Sequence, residues 1–164
     1  DPTSSATTSN ATTSDDEHAM EQVRAIDKQL RAADPSKPLP EDATWATDGF
    51  RTRFDAAAAD FTEAGAVFTG KITTESLHLG ESDPDAPGGG QLTAYACTVD
   101  TTRIIVDGKD VTAHPNDPTK VLPKKPRHDT YLNTYSTTDD GTTWQLDRSR
   151  NLPDKDKKGT PCDA

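Results

Sequence analysis

The sequence predicts an α+β domain: two N-terminal helices packed on a curved, four- to five-stranded antiparallel sheet. Two observations carry that expectation. Apolar residues recur at helical spacing as far as Gly65 and at alternate positions from Ala66 onward. The strand-like runs are separated by short turn signals, Asp107-Gly108 and Asp139-Asp140-Gly141, and no helix pattern lies between them. Helices first and strands afterwards is the order of an α+β domain rather than of a parallel sheet.

Residues 1–14, DPTSSATTSNATTS, hold nothing able to bury apolar surface and are expected to be a disordered tether. Asn10-Ala11-Thr12 fits the N-glycosylation pattern, and the Thr/Ser run equally suits O-glycosylation. Residues 15–164 are expected to form a single domain. Ser14-Asp-Asp-Glu17 reads as a capping box opening a helix over 15–33, with Met20, Val23, Ile26, Leu30 and Ala33 as its apolar stripe. Asp34-Pro35 ends it. Pro40 suits a short helical turn, with Trp45 as its anchor to the core. Asp48 (or Thr47) caps a second helix bearing Phe50, Phe54, Ala57, Ala58 and Phe61 on one face and stopping at Gly65, a left-handed cap.

In the strand region Phe68, Ile72 and Thr74 share one phase, and Leu77 and Leu79 share the other. One extra residue near Thr73–Ser76 reconciles them, which is a β-bulge, a device that bends a strand. Gly80–Gly90 reads as a loop, and Leu92–Val99 as a strand with Tyr95, Cys97 and Val99 toward the helices. Asp100–Thr102 turns into a strand at Ile104–Val106, and Ala113–Arg127, with four prolines, reads as a long loop. His128–Thr138 and Thr142–Arg148 form the last hairpin, with Tyr131, Asn133 and Tyr135 on one side and Trp144 and Leu146 toward the core. The polar tail from Asp154 needs Cys162 to hold it.

The 164 residues suffice for one domain. A formal charge of −10 argues against nucleic acid and against direct contact with anionic membranes as the main role. No apolar run is long enough to span a bilayer. The chain opens Asp-Pro-Thr-Ser-Ser without a basic-then-apolar leader, so a mature or truncated form is expected.

Cys97 and Cys162 are the two cysteines, and in a secreted chain they read first as one disulfide; no Cys-x-x-Cys or Cys/His spacing supports a metal or catalytic role. His18, His78, His114 and His128 are scattered. Asp154-Lys-Asp156 begins like a calcium loop but lacks the closing acid, and Glu81, Asp83 and Asp85 are a weak acidic cluster. Lys120, Lys124, Lys125, Arg127 and His128 make a basic patch that suits an acidic partner, an anionic cell-wall polymer or plain solvation. Neither a phosphate loop nor a Gly-x-Ser-x-Gly elbow occurs. Tyr95, Asp100, Tyr131 and Tyr135 are the candidate pocket-lining set: a Tyr/Asp pair between helices and sheet suits proton transfer, and tyrosines at a core edge suit packing.

Ala96-Cys97-Thr-Val-Asp100, Ile104-Ile-Val-Asp107, Arg127-His-Asp-Thr-Tyr131, Asp140-Gly-Thr-Thr-Trp144-Gln-Leu146, Ser149-Arg-Asn151 and Gly159-Thr-Pro-Cys162 together resemble small actinobacterial secreted proteins and lipoproteins of the nuclear transport factor 2-like (cystatin-like) superfamily. The resemblance covers roughly residues 15–162. It implies a cone of helices and sheet, a Cys97–Cys162 bridge, a lipidated cysteine upstream of residue 1 and an extracytoplasmic site, anchored or secreted. It carries over no activity, and the acid/base residues of the superfamily's isomerases and dehydratases have no matched positions here.

The expected function is therefore a non-enzymatic cell-envelope binding or interaction domain without catalytic residues, cofactor or metal. Its partner is an envelope protein or a small ligand, and pairing into a homodimer is a further expectation. The alternative is an acid/base enzyme of isomerase or dehydratase type working in the cone.

Overall fold

The computed structural model describes residues 6–114 and 117–163. Helix α1 spans Ala6–Ala32 and α2 Asp48–Glu63. Strands follow as β1 (Val67–Thr69), β2 (Ile72–Asp83), β3 (Gln91–Asp100), β4 (Arg103–Val106), β5 (Lys109–Asp110), β6 (Ala113–His114), β7 (Asp117–Val121), β8 (Arg127–Ser136) and β9 (Gln145–Asn151), and a short helix α3 (Asp154–Lys157) closes the order. The domain is α+β, with two helices packed on antiparallel sheets.

Helix α1 begins before the expected capping box, so Ser14 lies inside it and does not start it. Extending an existing helix adds a hydrogen bond per residue, whereas nucleation is the costly step. The tether expected over 1–14 thus continues the helix from Ala6; residues 1–5 lie outside the described residues. The apolar stripe behaves as its spacing requires: Met20, Val23 and Ile26 are buried and Leu30 packs beside them. Helix α2 is capped by Thr47, whose hydroxyl accepts from the Phe50 amide. It ends in paired reverse bonds, Ala66 N to Phe61 O and Gly65 N to Thr62 O, around Gly65 at φ 66°. Of its alanine run only Ala58 is buried; Ala57 faces solvent.

The main sheet has the order β2-β3-β8-β9, all antiparallel. The bulge expected in β2 is present: the register against β3 slips between Thr74 and Ser76, which puts Thr74 and Leu77 on one face. The strong curvature expected of the sheet is not present. The central pair β3–β8 runs in unbroken register from Gln91↔Ser136 to Asp100↔Arg127, so nothing bends the middle of the sheet.

The expected facing of β3 is reversed. Leu92, Ala94, Ala96, Thr98 and Asp100 are its buried phase, and Tyr95, Cys97 and Val99 lie on the other face. Small Ala94 and Ala96 on the inner face leave room for larger neighbours on the same rungs, Asn133 and Tyr131, and Leu92 packs in the core beside its rung partner Tyr135. Trp144 and Leu146 are buried in the core as expected. The free edge of β9 is covered by segment 45–47, through Leu146 N to Trp45 O and Thr47 N to Leu146 O. Trp45 also packs on the core and stands 6.1 Å from the Phe50 ring.

Two regions read as loops contain strand. Strand β2 continues through Gly80 to Asp83, and Ala113–Arg127 holds the β6–β7 ribbon. The Asp107-Gly108 turn joins β4 to β5 with positive φ at both residues, a two-residue hairpin.

The β2–β3 pair turns a corner at one end of the sheet and continues as β1–β4, which with β5 forms a second, three-stranded sheet. Gly70 makes the corner. Its φ is +75°, and a Cβ there would collide with the Thr101 carbonyl. Thr101 N donates to Lys71 O, which keeps the two strands paired through the bend.

Candidate functional site

The core fills one end of the space between helices and main sheet, around Leu92, Tyr135, Trp144 and Leu146. The other end is open. There the last turn of α1, helix α2, the corner at Gly70 and the inner faces of β3 and β8 surround a cleft of about 1260 Å³. The corner closes one side of it with Phe68 and Ile104, and α2 adds Phe54 and Phe61. Phe61 and Phe68 meet edge to face at 4.8 Å. The volume of the cleft exceeds the roughly 300–1,000 Å³ of ordinary small-molecule sites, so a small ligand fits in part of it.

Its floor is polar. Ile72, Asp100 and Arg127 occupy one rung across β2, β3 and β8. Arg127 Nη2 donates to Asp100 Oδ2 at 2.8 Å, with side-chain exposures of 18% and 10%. Asp100 Oδ1 accepts from Thr102 N at 2.7 Å. Nearer the core, Asp27 and Arg31 pair along α1 at 3.4 Å, and Arg31 Nε donates to Thr74 Oγ1. The Arg31 guanidinium lies 5.3 Å from the centre of the Tyr131 ring. Burial raises the Tyr131 phenol above its ordinary range, and Asp129 and Asp100 push it the same way. Lys157 reaches Asp129 at 3.6 Å from the far side.

The four residues expected to line one pocket are divided. Asp100 and Tyr131 line the cleft. Tyr135 has no exposed surface and belongs to the core, where burial raises its phenol strongly and Asn133 Nδ2 donates to its oxygen. Tyr95 lies on the opposite face of β3, because Tyr95 and Ala96 alternate across the sheet. Asp100 and Tyr131 are not paired with each other. Both carboxylate oxygens of Asp100 already accept hydrogen bonds, and a tyrosine with a raised pKa gives up its proton less readily at neutral pH.

Arg31 and Asp27 were not signalled by any motif. Their signal was placement: Asp27 falls at helical spacing from Val23 and Leu30 on the apolar face of α1, and a buried acid there requires a partner. Arg127 leaves the expected basic patch to pair with Asp100, whereas Lys120, Lys124 and Lys125 are exposed. Among the described residues no cluster of three or more His, Cys, Asp or Glu is arranged to hold a metal ion. His18 contacts Gln22 and the Thr142 carbonyl, His78 contacts Ser76, and His128 stands 3.9 Å from Glu75; the side chain of His114 lies outside the described residues.

Cys97 and Cys162 are bonded, their Cα atoms 5.3 Å apart. Cys97 sits on the outer face of β3, so the tail crosses under β8 there, where Thr130, its rung partner, is only 3% exposed. A disulfide fits an oxidising, extracytoplasmic compartment. Among the described residues no helix is long and apolar enough to cross a membrane.

No family model matches the chain, and no curated protein matches it. Among solved structures it is similar to the intermembrane space region of the chloroplast protein ARC6, with a TM-score of 0.49 and 12% identity over 80% of this chain and 95% of that one. That likeness assigns neither a family nor an activity.

Proposed function

We propose that this chain is a non-enzymatic binding domain of the cell envelope, of the nuclear transport factor 2-like type, held outside the membrane by an upstream lipid anchor. Its ligand is a small molecule seated in the cleft between α2, the Gly70 corner and the inner faces of β3 and β8. One observation carries the reading: the cleft joins an apolar wall of Phe54, Phe61, Phe68 and Ile104 to a floor whose acid is already neutralised by Arg127. Apolar walls with a few fixed polar groups are the composition of ligand sites. The acid/base alternative has no free base at Asp100, whose oxygens are held by Arg127 and the Thr102 amide.

The test is a fluorescence titration with the neutral apolar probe N-phenyl-1-naphthylamine. The wild-type protein is expected to bind it saturably, and Ile104→Asp, which sets a charge in the apolar wall, is expected to weaken that binding about tenfold or more while leaving the circular dichroism unchanged. An absent signal in the wild type, or equal binding by the variant, contradicts the reading.

A further inference from the structure

The cleft differs in charge from the rest of the molecule. Five Lys or Arg residues line it, Arg31, Lys71, Arg127, Lys155 and Lys157, against three aspartates, Asp100, Asp129 and Asp154. The whole chain has the opposite balance, a formal −10. The cationic excess has a definite place. Lys71 immediately precedes Ile72, and Ile72, Asp100 and Arg127 share a rung, so Lys71 and Arg127 lie at the same end of the sheet, two strand spacings or roughly 10 Å apart. Lys71 is exposed at the cleft and makes no ion pair with any described residue. Arg127 Nη2 donates to Asp100 and to the Thr102 carbonyl, and its Nη1 is buried with no acceptor among the described residues. Beside this rung stand the apolar side chains of the corner and α2, Phe68, Ile104, Phe61 and Phe54.

We infer that the ligand is an anionic amphiphile, a single apolar chain ending in a carboxylate or phosphate, with its head at the Lys71–Arg127 rung and its chain along the Phe54–Phe61–Phe68–Ile104 wall. The inference rests on the binding reading above and adds the ligand's charge and orientation. A guanidinium and an ammonium both attract such heads, the exposed Lys71 by charge-assisted hydrogen bonds and the nearby Arg127 by its charge. Outside the cleft and the exposed Lys120–Lys125 stretch the molecule is strongly negative, so its charge favours the cleft over most of the surface.

The experiment displaces the bound neutral probe with four amphiphiles of one chain length: dodecanoate, dodecyl phosphate, dodecanol and dodecyltrimethylammonium. All are kept below their micelle concentrations at about pH 8, where carboxylates are ionised. The expected result is that at least one of the two anionic compounds displaces the probe at a concentration about tenfold or more below dodecanol, the ratio a charge-assisted hydrogen bond provides. Which of the two is better distinguishes a carboxylate from a phosphate source. Lys71→Glu, on an exposed side chain, is expected to remove that preference, read as the ratio of the anion's displacing concentration to that of dodecanol in the same variant. Equal competition by alcohol and anions, preference for the ammonium, failure of all four to displace a bound probe, or a preference that survives in Lys71→Glu overturns the inference while leaving the binding reading standing. Only failure of the probe itself to bind removes both.

Discussion

Asp100 shows how one residue can be read correctly in place and wrongly in role. It was expected to line a pocket and does, yet its oxygens are committed to Arg127 and to the Thr102 amide. Titrating groups elsewhere give the protein a definite pH profile. The carboxyl of Asp110 is lowered to about 2 by hydrogen bonds from Arg103 and Thr112. A lowered folded-state pKa gives stability that is present above the unfolded value of about 4 and is lost as pH falls toward 2. The Tyr131 phenol is shifted the other way, so its contribution is intact below about pH 10 and is lost as the unfolded chain ionises above it. Urea midpoints measured across the pH range should fall at both ends, and Asp110→Asn should flatten the acid limb. At the core end of the sheet, Leu146 has no exposed surface. Leu146→Ala should cost about 2–5 kcal/mol in urea denaturation, because the rigid surroundings of α1, Trp45 and β8 cannot collapse onto the gap.

At the scale of elements, the bulge in β2 could be read from the chain because the two apolar phases, Ile72–Thr74 and Leu77–Leu79, conflict unless a residue is inserted. The facing of β3 could not. Leu92-Thr-Ala-Tyr-Ala-Cys-Thr-Val has apolar residues in both phases, and the choice is decided across the sheet, by Tyr131 taking the small partner Ala96 and Tyr135 packing on Leu92 in the core. Reversing β3 turns Cys97 away from the helices, so the disulfide staples the tail to the outer face and leaves the cleft clear of it. The bridge spans 65 residues in sequence. Replacing both cysteines with serine should therefore lower stability by about 4 kcal/mol on the chain-entropy account. Intact mass before and after reduction of the wild type should differ by two hydrogens, and free thiols in the oxidised protein would contradict the compartment reading.

For the whole molecule, the two helices and the antiparallel strands follow from periodicity and turn signals, which are local. The cleft is not local. Its walls come from α1, α2, the β1–β4 corner and the inner faces of β3 and β8, and the decisive residue of the corner, Gly70, is one glycine among ten in the sequence. Two of the four expected site residues reach the cleft because strand parity brings Asp100 and Tyr131 to the same face; Tyr95 fails on parity and Tyr135 on depth. The cationic character of the site was hidden for the same reason, since Lys71 and Arg127 become neighbours only through β3. The central claim is that the cleft is where this domain binds. An amide NMR titration of labelled protein with dodecanoate tests it most directly. Shifts should concentrate at Lys71, Ile72, Asp100, Ile104 and Tyr131 and in the α2 turn around Phe61. Shifts confined to the outer face around Tyr95 and Val99, or no shifts under saturating ligand, would contradict the account.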